Sequence, residues 1–199
     1  MEKAVRDSYG RTIEYMRISI TDRCNLRCRY CMPDGAKWIP MSEILTYEEI
    51  ERICREAVQI GITRFKITGG EPLVRSGMPQ LVEKLKNMTG IEKVTLTTNG
   101  VLLKEQMKDF ARAGLDGLNI SLDTLDEACS RRITRRDELD RTLEGISEAL
   151  KYPEISLKIN CVPLGIPEQD LCEVAFLARD QKVHVRFIEM MPIGMGKEF

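Results

Sequence analysis

The sequence predicts an α/β fold in which six short parallel strands alternate with longer helices. Three observations support this prediction: short stretches in which apolar and polar residues alternate, longer helix-like stretches between them, and helix-capping residues at the boundaries. Strands that are joined through helices run parallel, with right-handed crossovers. The pattern alone leaves an open sheet and a partial barrel as alternatives.

The expected elements cover most of the chain. Strands are expected at Met16–Thr21, Arg64–Thr68, Lys93–Thr98, Gly117–Leu122, Ser156–Val162 and Val183–Glu189. Helices are expected near Tyr47–Ile60, Met78–Met88, Lys104–Ala113, Asp137–Leu150 and Glu168–Arg179. No long linker, repeat or low-complexity segment interrupts this order, so we expect one domain over residues 1–199.

Capping signals support the helix boundaries. Thr46 and Glu49 form a capping-box pattern at the beginning of the first helix. Gly61 and Gly114 stand where the C-terminal caps of the first and third helices are expected. Pro167 suits the beginning of the fifth helix.

Composition restricts the class of protein. The chain has 199 residues, of which 43% are hydrophobic and 31% charged, and its formal net charge is −1. It can bury a core, and its charge argues against non-specific nucleic-acid binding as the main task. The charged N-terminus does not resemble a signal peptide, and no stretch approaches a membrane span. Seven cysteines without an export signal favour a reducing compartment, so we expect a cytoplasmic protein.

The strands alternate instead of being apolar throughout, as strands buried on both faces would be. If helices cover the apolar face, the polar residues converge on the other face and line a lumen. Cations on that face include Arg17, Lys66 and Lys158, with Arg186 as a further candidate. Because unpaired buried charge is costly, such a group of cations calls for an anionic ligand such as a triphosphate. The alternative is a solvated face on an edge strand.

Three cysteines, Cys24, Cys28 and Cys31, lie close together after the first strand, in a loop over residues 22–34. Cysteine thiolates hold iron–sulfur clusters, whereas a closed structural metal site needs four protein ligands. No fourth cysteine or histidine stands nearby, and the only histidine is His184. The pattern therefore favours a four-iron cluster with one iron open to a ligand that is not protein. Structural zinc and free thiols are the alternatives.

The Cys-x3-Cys-x2-Cys spacing, with Tyr30 before the last cysteine, resembles the radical S-adenosylmethionine (SAM) enzymes. The resemblance implies a partial (β/α)6 TIM-like barrel and a 4Fe–4S cluster held by the three cysteines, whose open iron is chelated by SAM. It also implies that an electron from the cluster cleaves SAM and releases a 5′-deoxyadenosyl radical.

Further segments resemble the SAM-binding parts of this family. Gly69-Gly-Glu-Pro72 directly follows the second strand, and its two glycines allow a ligand to approach the backbone closely. By resemblance, the residues assigned to SAM are Tyr30 beside the adenine, Gly69, Gly70 and Glu71 at the amino group, Ser121 at the ribose and Met191 as a further contact.

The closer resemblance is to one branch of the family, the GTP 3′,8-cyclases of molybdenum cofactor biosynthesis. Segments in family order over nearly the whole chain carry it: Arg17–Pro33, Lys66–Arg75, Thr97–Gly100, Asn119–Asp123, Arg132–Thr134, Lys158–Asn160 and Arg186–Glu189. The residues that match GTP contacts by position are Arg17, Lys66, Thr97 and Lys158. Some relatives carry arginine where Lys66 stands. Lysine keeps the positive charge, but its ammonium cannot bind a phosphate through two parallel hydrogen bonds as a guanidinium does.

This branch implies a lyase that uses the radical to abstract the C3′ hydrogen of GTP. The carbon radical then attacks C8, and the product is 3′,8-cyclo-7,8-dihydro-GTP. GTP is the implied small-molecule substrate, and an electron donor such as flavodoxin or ferredoxin is implied as well. No catalytic side chain is expected, because hydrogen abstraction needs no general base. Neither nucleic acid nor a membrane is an expected partner, and a homodimer is one assembly open to the chain.

Enzymes of this branch continue beyond the sixth strand, where three further cysteines hold a second cluster beside the guanine. No second close group of cysteines follows Cys31, so we expect the second-cluster domain to be absent and cyclisation to be weak or absent. Three alternatives stay open: another radical SAM enzyme such as a peptide-modifying one, an iron–sulfur protein that carries electrons or senses oxygen, and a barrel that binds the cluster and SAM without full cyclase activity.

Overall fold

A computed structural model of the chain describes residues 5–32, 35, 37–191 and 196–197. Its strands are β1 (Tyr15–Ser19), β2 (Arg64–Thr68), β3 (Lys93–Thr98), β4 (Gly117–Ser121), β5 (Ser156–Cys161) and β6 (His184–Phe187). Its α-helices are α1 (Tyr47–Gln59), α2 (Met78–Lys86), α3 (Leu103–Arg112), α4 (Glu127–Thr134), α5 (Leu139–Ala149) and α6 (Leu171–Asp180), and short 3-10 helices cover Met41–Glu43 and Pro72–Val74.

The six strands form one parallel sheet in the order β1-β2-β3-β4-β5-β6, with β1 and β6 at its edges. A doubly wound open sheet reverses its strand order at a switch point, whereas a barrel adds each strand beside the last. The sequential order therefore decides between the two alternatives. The predicted α/β class and the partial barrel are confirmed.

The apolar residues of the strands and the inward faces of the helices form one core. Phe65 and Ile67 of β2 and Leu96 of β3 are buried there, packed with residues of the helices such as Leu81 and Phe110. The helices thus cover the apolar face of the sheet, as the alternation predicts. The opposite, polar face is left to line the lumen.

Strand register brings the polar residues of neighbouring strands side by side. Arg17 lies opposite Lys66, and Lys66 lies opposite Thr95. Asn119 lies opposite Lys158 on the next pair of strands. Because the side-chain period of a strand is two residues, paired positions point to the same face. The predicted convergence of cations on the lumen face follows from this register.

The capping box before α1 is confirmed. Oγ1 of Thr46 accepts from the backbone N–H of Glu49 at 3.2 Å, and the carboxylate of Glu49 accepts from the backbone N–H of Thr46 at 2.7 Å. Gly61 and Gly114 have φ values of +93° and +77°, in the left-handed region that glycine adopts most easily.

The helices differ from the expected set in two places. Helix α4 was not predicted, because the stretch after Asp126 is mostly polar and buries only Cys129, Ser130 and Ile133 of its residues. Helix α6 begins at Leu171 and not near Pro167, because Asp170 caps it: Oδ1 accepts from the N–H groups of Cys172 and Glu173, at 2.8 and 3.2 Å. Within the described residues, no helix has the length and apolar character needed to cross a membrane.

Candidate active site

A cavity of about 290 Å³ lies at the carboxyl ends of the strands, where active sites of this architecture are built. It collects residues that are far apart in sequence: Cys24, Cys28, Tyr30, Cys31, Gly69, Gly70, Glu71 and Ser121 all line it. The structure thus brings together every predicted cluster ligand and all but one of the predicted SAM residues.

The exception is Met191, which is 69% exposed and is not among the residues that line this cavity. Residues 192–195, which follow it, lie outside the described part of the chain, as do Pro33 and Asp34 at the end of the predicted cluster loop. The assignment of Met191 to SAM stays a prediction.

The three cysteines are free thiols on the cavity wall. Burial raises the pKa of Cys28 to about 12, and burial is also the main cause that raises the pKa values of Cys24 and Cys31. A thiol that ligates a metal is deprotonated, so the positive charge of the irons would have to offset this cost. The chemistry of the donor set fits an iron–sulfur cluster.

Within the described residues, no three side chains of His, Cys, Asp or Glu converge closely enough to hold a single metal ion. A zinc site would need its ligands around one point, whereas each cysteine of a 4Fe–4S cluster binds a different iron and the ligands are spread around a cube.

The loop that carries the cysteines is fixed by the end of α4. The backbone N–H groups of Arg27 and Arg29 donate to the carbonyl oxygens of Thr134 and Ile133, at 2.9 and 3.0 Å. These carbonyls belong to the last turn of the helix, where the oxygens lack partners within the helix. The helix missing from the sequence prediction therefore positions the predicted ligands.

The glycine turn after β2 packs directly against the same loop. The N–H of Gly70 donates to the carbonyl of Thr21 at 2.6 Å, and the N–H of Glu71 donates to the carbonyl of Arg23 at 2.7 Å. A Cβ at Gly70 would lie 2.3 Å from the oxygen of Arg23, so only glycine permits this approach. Both N–H groups are thus used within the protein, and the carbonyl oxygen of Glu71 accepts from the N–H of Val74 at 3.3 Å.

The carboxylate of Glu71 is buried and satisfied within the fold. It accepts hydrogen bonds from the hydroxyl of Thr98 at 2.7 Å, the N–H of Asn99 at 2.6 Å and the N–H of Leu73 at 3.0 Å. Burial raises the pKa of Glu71, and these three hydrogen bonds oppose that rise. The carboxylate therefore ties β2 to the end of β3.

Tyr30 and Ser121 line the same cavity as the glycine turn. Ser121 ends β4 and is exposed to the cavity, while the hydroxyl of Tyr30 donates to Oδ2 of Asp123 at 2.8 Å. The other oxygen of Asp123 accepts from the N–H of Val162 at 2.9 Å. Burial is the main cause that raises the pKa values of Asp123 and Tyr30.

A second cavity of about 500 Å³ continues into the lumen and holds the basic residues. Arg17, Lys66 and Arg186 line it, together with Thr68, Thr97, Asn160, Phe187 and Ile188. Four of these residues also line the cluster cavity: Thr68, Thr97, Asn160 and Ile188. The two cavities therefore adjoin across shared walls.

Lys158 lies at the other end of the lumen, in a cavity of about 160 Å³ that Lys66 also lines. Lys93 and Tyr15 are part of the same wall. Lys66 connects the two basic cavities, and its ammonium lies 5.9 Å from the centroid of the Tyr15 ring. The four predicted GTP residues thus line one continuous face, although no single cavity contains all of them.

The cations that line the lumen repel one another, and this affects the pKa of Lys66. Burial lowers the pKa of Lys66, and the neighbouring cations Arg186, Arg17, Lys158 and Lys93 lower it further, in that order. Among the described residues, none of these five cations forms an ion pair with a carboxylate. An anion in the lumen would relieve this repulsion.

Arg186 is held by neutral partners. Its Nη2 donates to Oδ1 of Asn160 and Oδ1 of Asn119, both at 2.6 Å. The side chain of Arg186 on β6 is therefore held by residues of β4 and β5, but neither amide neutralises its positive charge. An anionic ligand could therefore bind to the positive charge of Arg186.

Sequence reasoning assigned no site role to three residues that belong to these walls: Asn99, Asp123 and Lys93. Lys93 has the same parity as Thr95 and Thr97 on β3, so the alternation that selected the other cations could have found it. Asn99 and Asp123 continue the polar alternation just beyond the strand ends, but only their tertiary contacts assign them a role.

Comparison with known proteins agrees with this geometry. The Radical SAM superfamily matches residues 18–178 of the chain. This segment includes all three cluster cysteines, the glycine turn and strands β2 to β5. The superfamily implies a 4Fe–4S cluster and SAM as cofactors.

Curated relatives include the GTP 3′,8-cyclase of Petrotoga mobilis, which is 48% identical over 190 residues, and that of Thermodesulfovibrio yellowstonii, 46% identical over 195 residues. The alignments cover 94% and 96% of this chain but 59% and 61% of the relatives. The chain thus spans about three-fifths of the length of the curated relatives that it matches.

Solved structures share the fold at low sequence identity. SuiB of Streptococcus suis bound to its precursor peptide SuiA has a TM-score of 0.75 at 22% identity, with 90% of this chain and 40% of that chain covered. Methylornithine synthase (PylB) has a TM-score of 0.71 at 16% identity, with 92% and 55% covered. These likenesses show the shared fold, and the match over residues 18–178 establishes that the chain belongs to the radical SAM superfamily.

Proposed function

We propose that this chain is the catalytic barrel of a GTP 3′,8-cyclase, a lyase of molybdenum cofactor biosynthesis. One observation carries the proposal: the cysteine-lined cavity and the basic lumen share four wall residues, so a SAM site and a polyphosphate site adjoin. The identity of nearly half of all aligned residues with curated cyclases supports this choice of substrate.

In this proposal Cys24, Cys28 and Cys31 hold the 4Fe–4S cluster. Gly69, Gly70 and Glu71 form the turn that receives the amino group of SAM. Tyr30 lies beside the adenine, Ser121 binds the ribose, and Met191 approaches the cofactor from beyond β6. When bound, the cluster and SAM together supply the radical that abstracts hydrogen from the substrate.

The lumen orients the substrate. Arg17, Lys66 and Lys158 bind the triphosphate of GTP through charge-assisted hydrogen bonds, and Thr97 contacts the nucleotide where the two cavities meet. This places the ribose toward the cluster cavity, where its C3′ hydrogen can be removed and C3′ can bond to C8. The lumen supplies positive charge and orients the nucleotide, and no side chain has to act as a general base.

A peptide-modifying radical SAM enzyme is the nearest alternative. It would share the cysteines and the glycine turn. A peptide substrate gives no reason for five cations around one lumen that, within the described part of the chain, have no partner carboxylates. A barrel that binds the cluster and SAM without full cyclase activity is the second alternative. Electron transfer or oxygen sensing would not require a polyphosphate site.

Anaerobic reconstitution followed by mass spectrometry tests the proposal. We expect about three to four irons per chain, release of 5′-deoxyadenosine from SAM, and stimulation of that release by GTP. Lys158→Met should remove the stimulation while leaving the iron content unchanged, and Lys108→Met on the exposed side of α3 serves as the matched control.

Each result distinguishes the alternatives. Release that GTP does not stimulate would favour another substrate class. No release from protein that contains the cluster would favour the incomplete barrel, and formation of the cyclic nucleotide would establish the cyclase itself. The single domain over residues 1–199, the flavodoxin or ferredoxin donor, the homodimer and the cytoplasmic location remain predictions from the sequence.

A further inference from the structure

Asn99 occupies the junction between the glycine turn and the cluster loop. It follows β3 directly, is 9% exposed and lines the cluster cavity. Its backbone is fixed on both sides: its N–H donates to Oε2 of Glu71 at 2.6 Å, and its carbonyl accepts from the hydroxyl of Thr142 at 3.1 Å. The position of its Cα is therefore set by β2, β3 and α5 together.

The orientation of its side-chain amide is also determined. Oδ1 accepts from the backbone N–H of Val101 at 3.1 Å. An NH2 group could not occupy that position, because two donors would then face each other. The amide nitrogen must consequently point the other way, into the cluster loop.

That nitrogen meets two groups of the loop. Nδ2 of Asn99 lies 2.7 Å from Oδ1 of Asn25 and 3.9 Å from Sγ of Cys24. A primary amide carries two N–H bonds, so one can serve Asn25 and the other Cys24. A continuous path of hydrogen bonds thus runs from the buried carboxylate of Glu71 through Asn99 to the first cluster cysteine.

We propose that Asn99 is a positioning residue that holds the cluster loop through Asn25 and donates a hydrogen bond to the sulfur of Cys24. This inference rests on the proposed function only in that Cys24 binds an iron. A sulfur bonded to iron carries no proton, so it can only accept. The backbone N–H of Leu26, 3.4 Å from this sulfur, is one donor, and the amide of Asn99 is a second. Hydrogen bonds to the sulfurs stabilise the more negative, reduced cluster and so raise its reduction potential.

The first test measures the reduction potential of the reconstituted cluster by spectroscopic titration, without SAM or GTP. Asn99→Ser is the main variant, since its hydroxyl can still accept from the N–H of Val101 but is too short to reach Cys24. We expect a shift to a more negative potential at unchanged iron content. Asn99→Asp, which keeps the shape and loses the donor, should shift the potential in the same direction. Lys104→Met on the exposed side of α3 is the control.

A matched loop variant separates the two roles of the amide. Asn25→Ala removes one acceptor but leaves Asn99 free to donate to Cys24, so we expect a potential equal to that of the parent protein. If Asn25→Ala and Asn99→Ser shift the potential equally, the effect comes from loop disorder, and the hydrogen bond to sulfur is refuted.

A second test needs no cluster. In iron-free protein, hydrogen exchange of the peptide over residues 23–29 reports opening of the loop. Loss of one buried hydrogen bond should accelerate this exchange by roughly fivefold to tenfold in Asn99→Ser. Unchanged exchange together with an unchanged potential would overturn the proposal. Neither measurement involves SAM cleavage or GTP, so a failed cyclase assay would not affect the result.

Discussion

The hydroxyl of Tyr30 donates a 2.8 Å hydrogen bond to Oδ2 of Asp123, which joins the cluster loop to the end of β4. Both residues line the cluster cavity, and the second oxygen of the carboxylate is bonded to the backbone of Val162 just after β5. One carboxylate thus connects the loop with two neighbouring strands. This contact fixes the wall of the cavity that is proposed to receive the adenine of SAM.

Tyr30→Phe should destabilise the protein by about 1–3 kcal/mol, because Oδ2 of the partly buried Asp123 would lose the hydrogen bond that Tyr30 donates to it. Urea unfolding of the iron-free protein measures this change as a lower midpoint. Tyr9→Phe is the control, since Tyr9 is 84% exposed and its hydroxyl should contribute little. An equal midpoint for Tyr30→Phe and the parent would contradict the prediction.

Gly70→Ala should reduce the iron content of the reconstituted protein strongly. The new methyl group would lie 2.3 Å from the carbonyl oxygen of Arg23 and 2.6 Å from that of Asp22, so the cluster loop would have to move. Gly10→Ala is the control for backbone strain: Gly10 has φ +78° with no atom within 4 Å, and the substitution should cost about 1 kcal/mol without affecting iron. Iron content equal to the parent in Gly70→Ala would show that the contact is not essential.

Cys31→Ala, like Cys24→Ala or Cys28→Ala, should abolish stable cluster binding, because two thiolates leave a second iron without a protein ligand. Iron and sulfide analysis after anaerobic reconstitution measures the loss. Cys172 is also an exposed free cysteine but lies on α6, so Cys172→Ala should retain the full iron content. Retention of the cluster in all three ligand variants would exclude this loop as the metal site.

Lys66→Met should stabilise the ligand-free protein and weaken its response to nucleotide. The substitution removes a cation that four others repel; since Lys66 is only partly buried and water screens these charges, we expect a gain below about 1 kcal/mol. Thermal unfolding with and without GTP gives both effects. A larger stabilisation by GTP in Lys66→Met than in the parent would argue against a role for this lysine in phosphate binding.

The affinity for GTP should begin to fall at a lower pH than it would if Lys66 had the usual pKa of a lysine. The pKa of Lys66 lies below its usual 10.5, so between the lowered value and 10.5 the unfolded chain binds more protons than the folded chain. The stability of the ligand-free protein therefore rises with pH over this interval. The affinity for a triphosphate falls there, because the ammonium loses its charge. Calorimetric titration from about pH 7 to about pH 10 would measure this, and Lys66→Met should lose the pH dependence that the lysine contributes.

Local patterns in the sequence were sufficient for most of the fold. The strands β2 and β3 have the predicted bounds, and the first helix begins at Tyr47 after its capping box, because these signals depend only on neighbouring residues. The strand β6 is shorter than the predicted Val183–Glu189, since the sheet provides a partner on one side only. Helix α4 was missed because a mostly polar stretch becomes helical through its cap at Asp126 and its contact with the cluster loop.

The candidate site, like the fold, could be predicted only in part from local sequence patterns. Cysteine spacing, the glycine turn and the alternation of the strands identified the ligands and the cations from the sequence, because each is a short pattern with a direct chemical meaning. Asn99 and Asp123 lie in segments that resemble the cyclase branch, but no local pattern assigns a role to the amide or the carboxylate. Their roles depend on partners 74 and 93 positions away, Asn25 and Tyr30.

The sequence by itself determined the α/β class, the cluster ligands and the polar character of the lumen, since periodicity and ligand chemistry are local properties of the chain. Only the tertiary structure decided that the sheet is wound sequentially as a partial barrel, that the cluster cavity and the basic lumen share walls, and that Asn99 points at Cys24. These features arise from strand register and from hydrogen bonds between distant segments. Such contacts form only when the whole core packs, so no local pattern contains them.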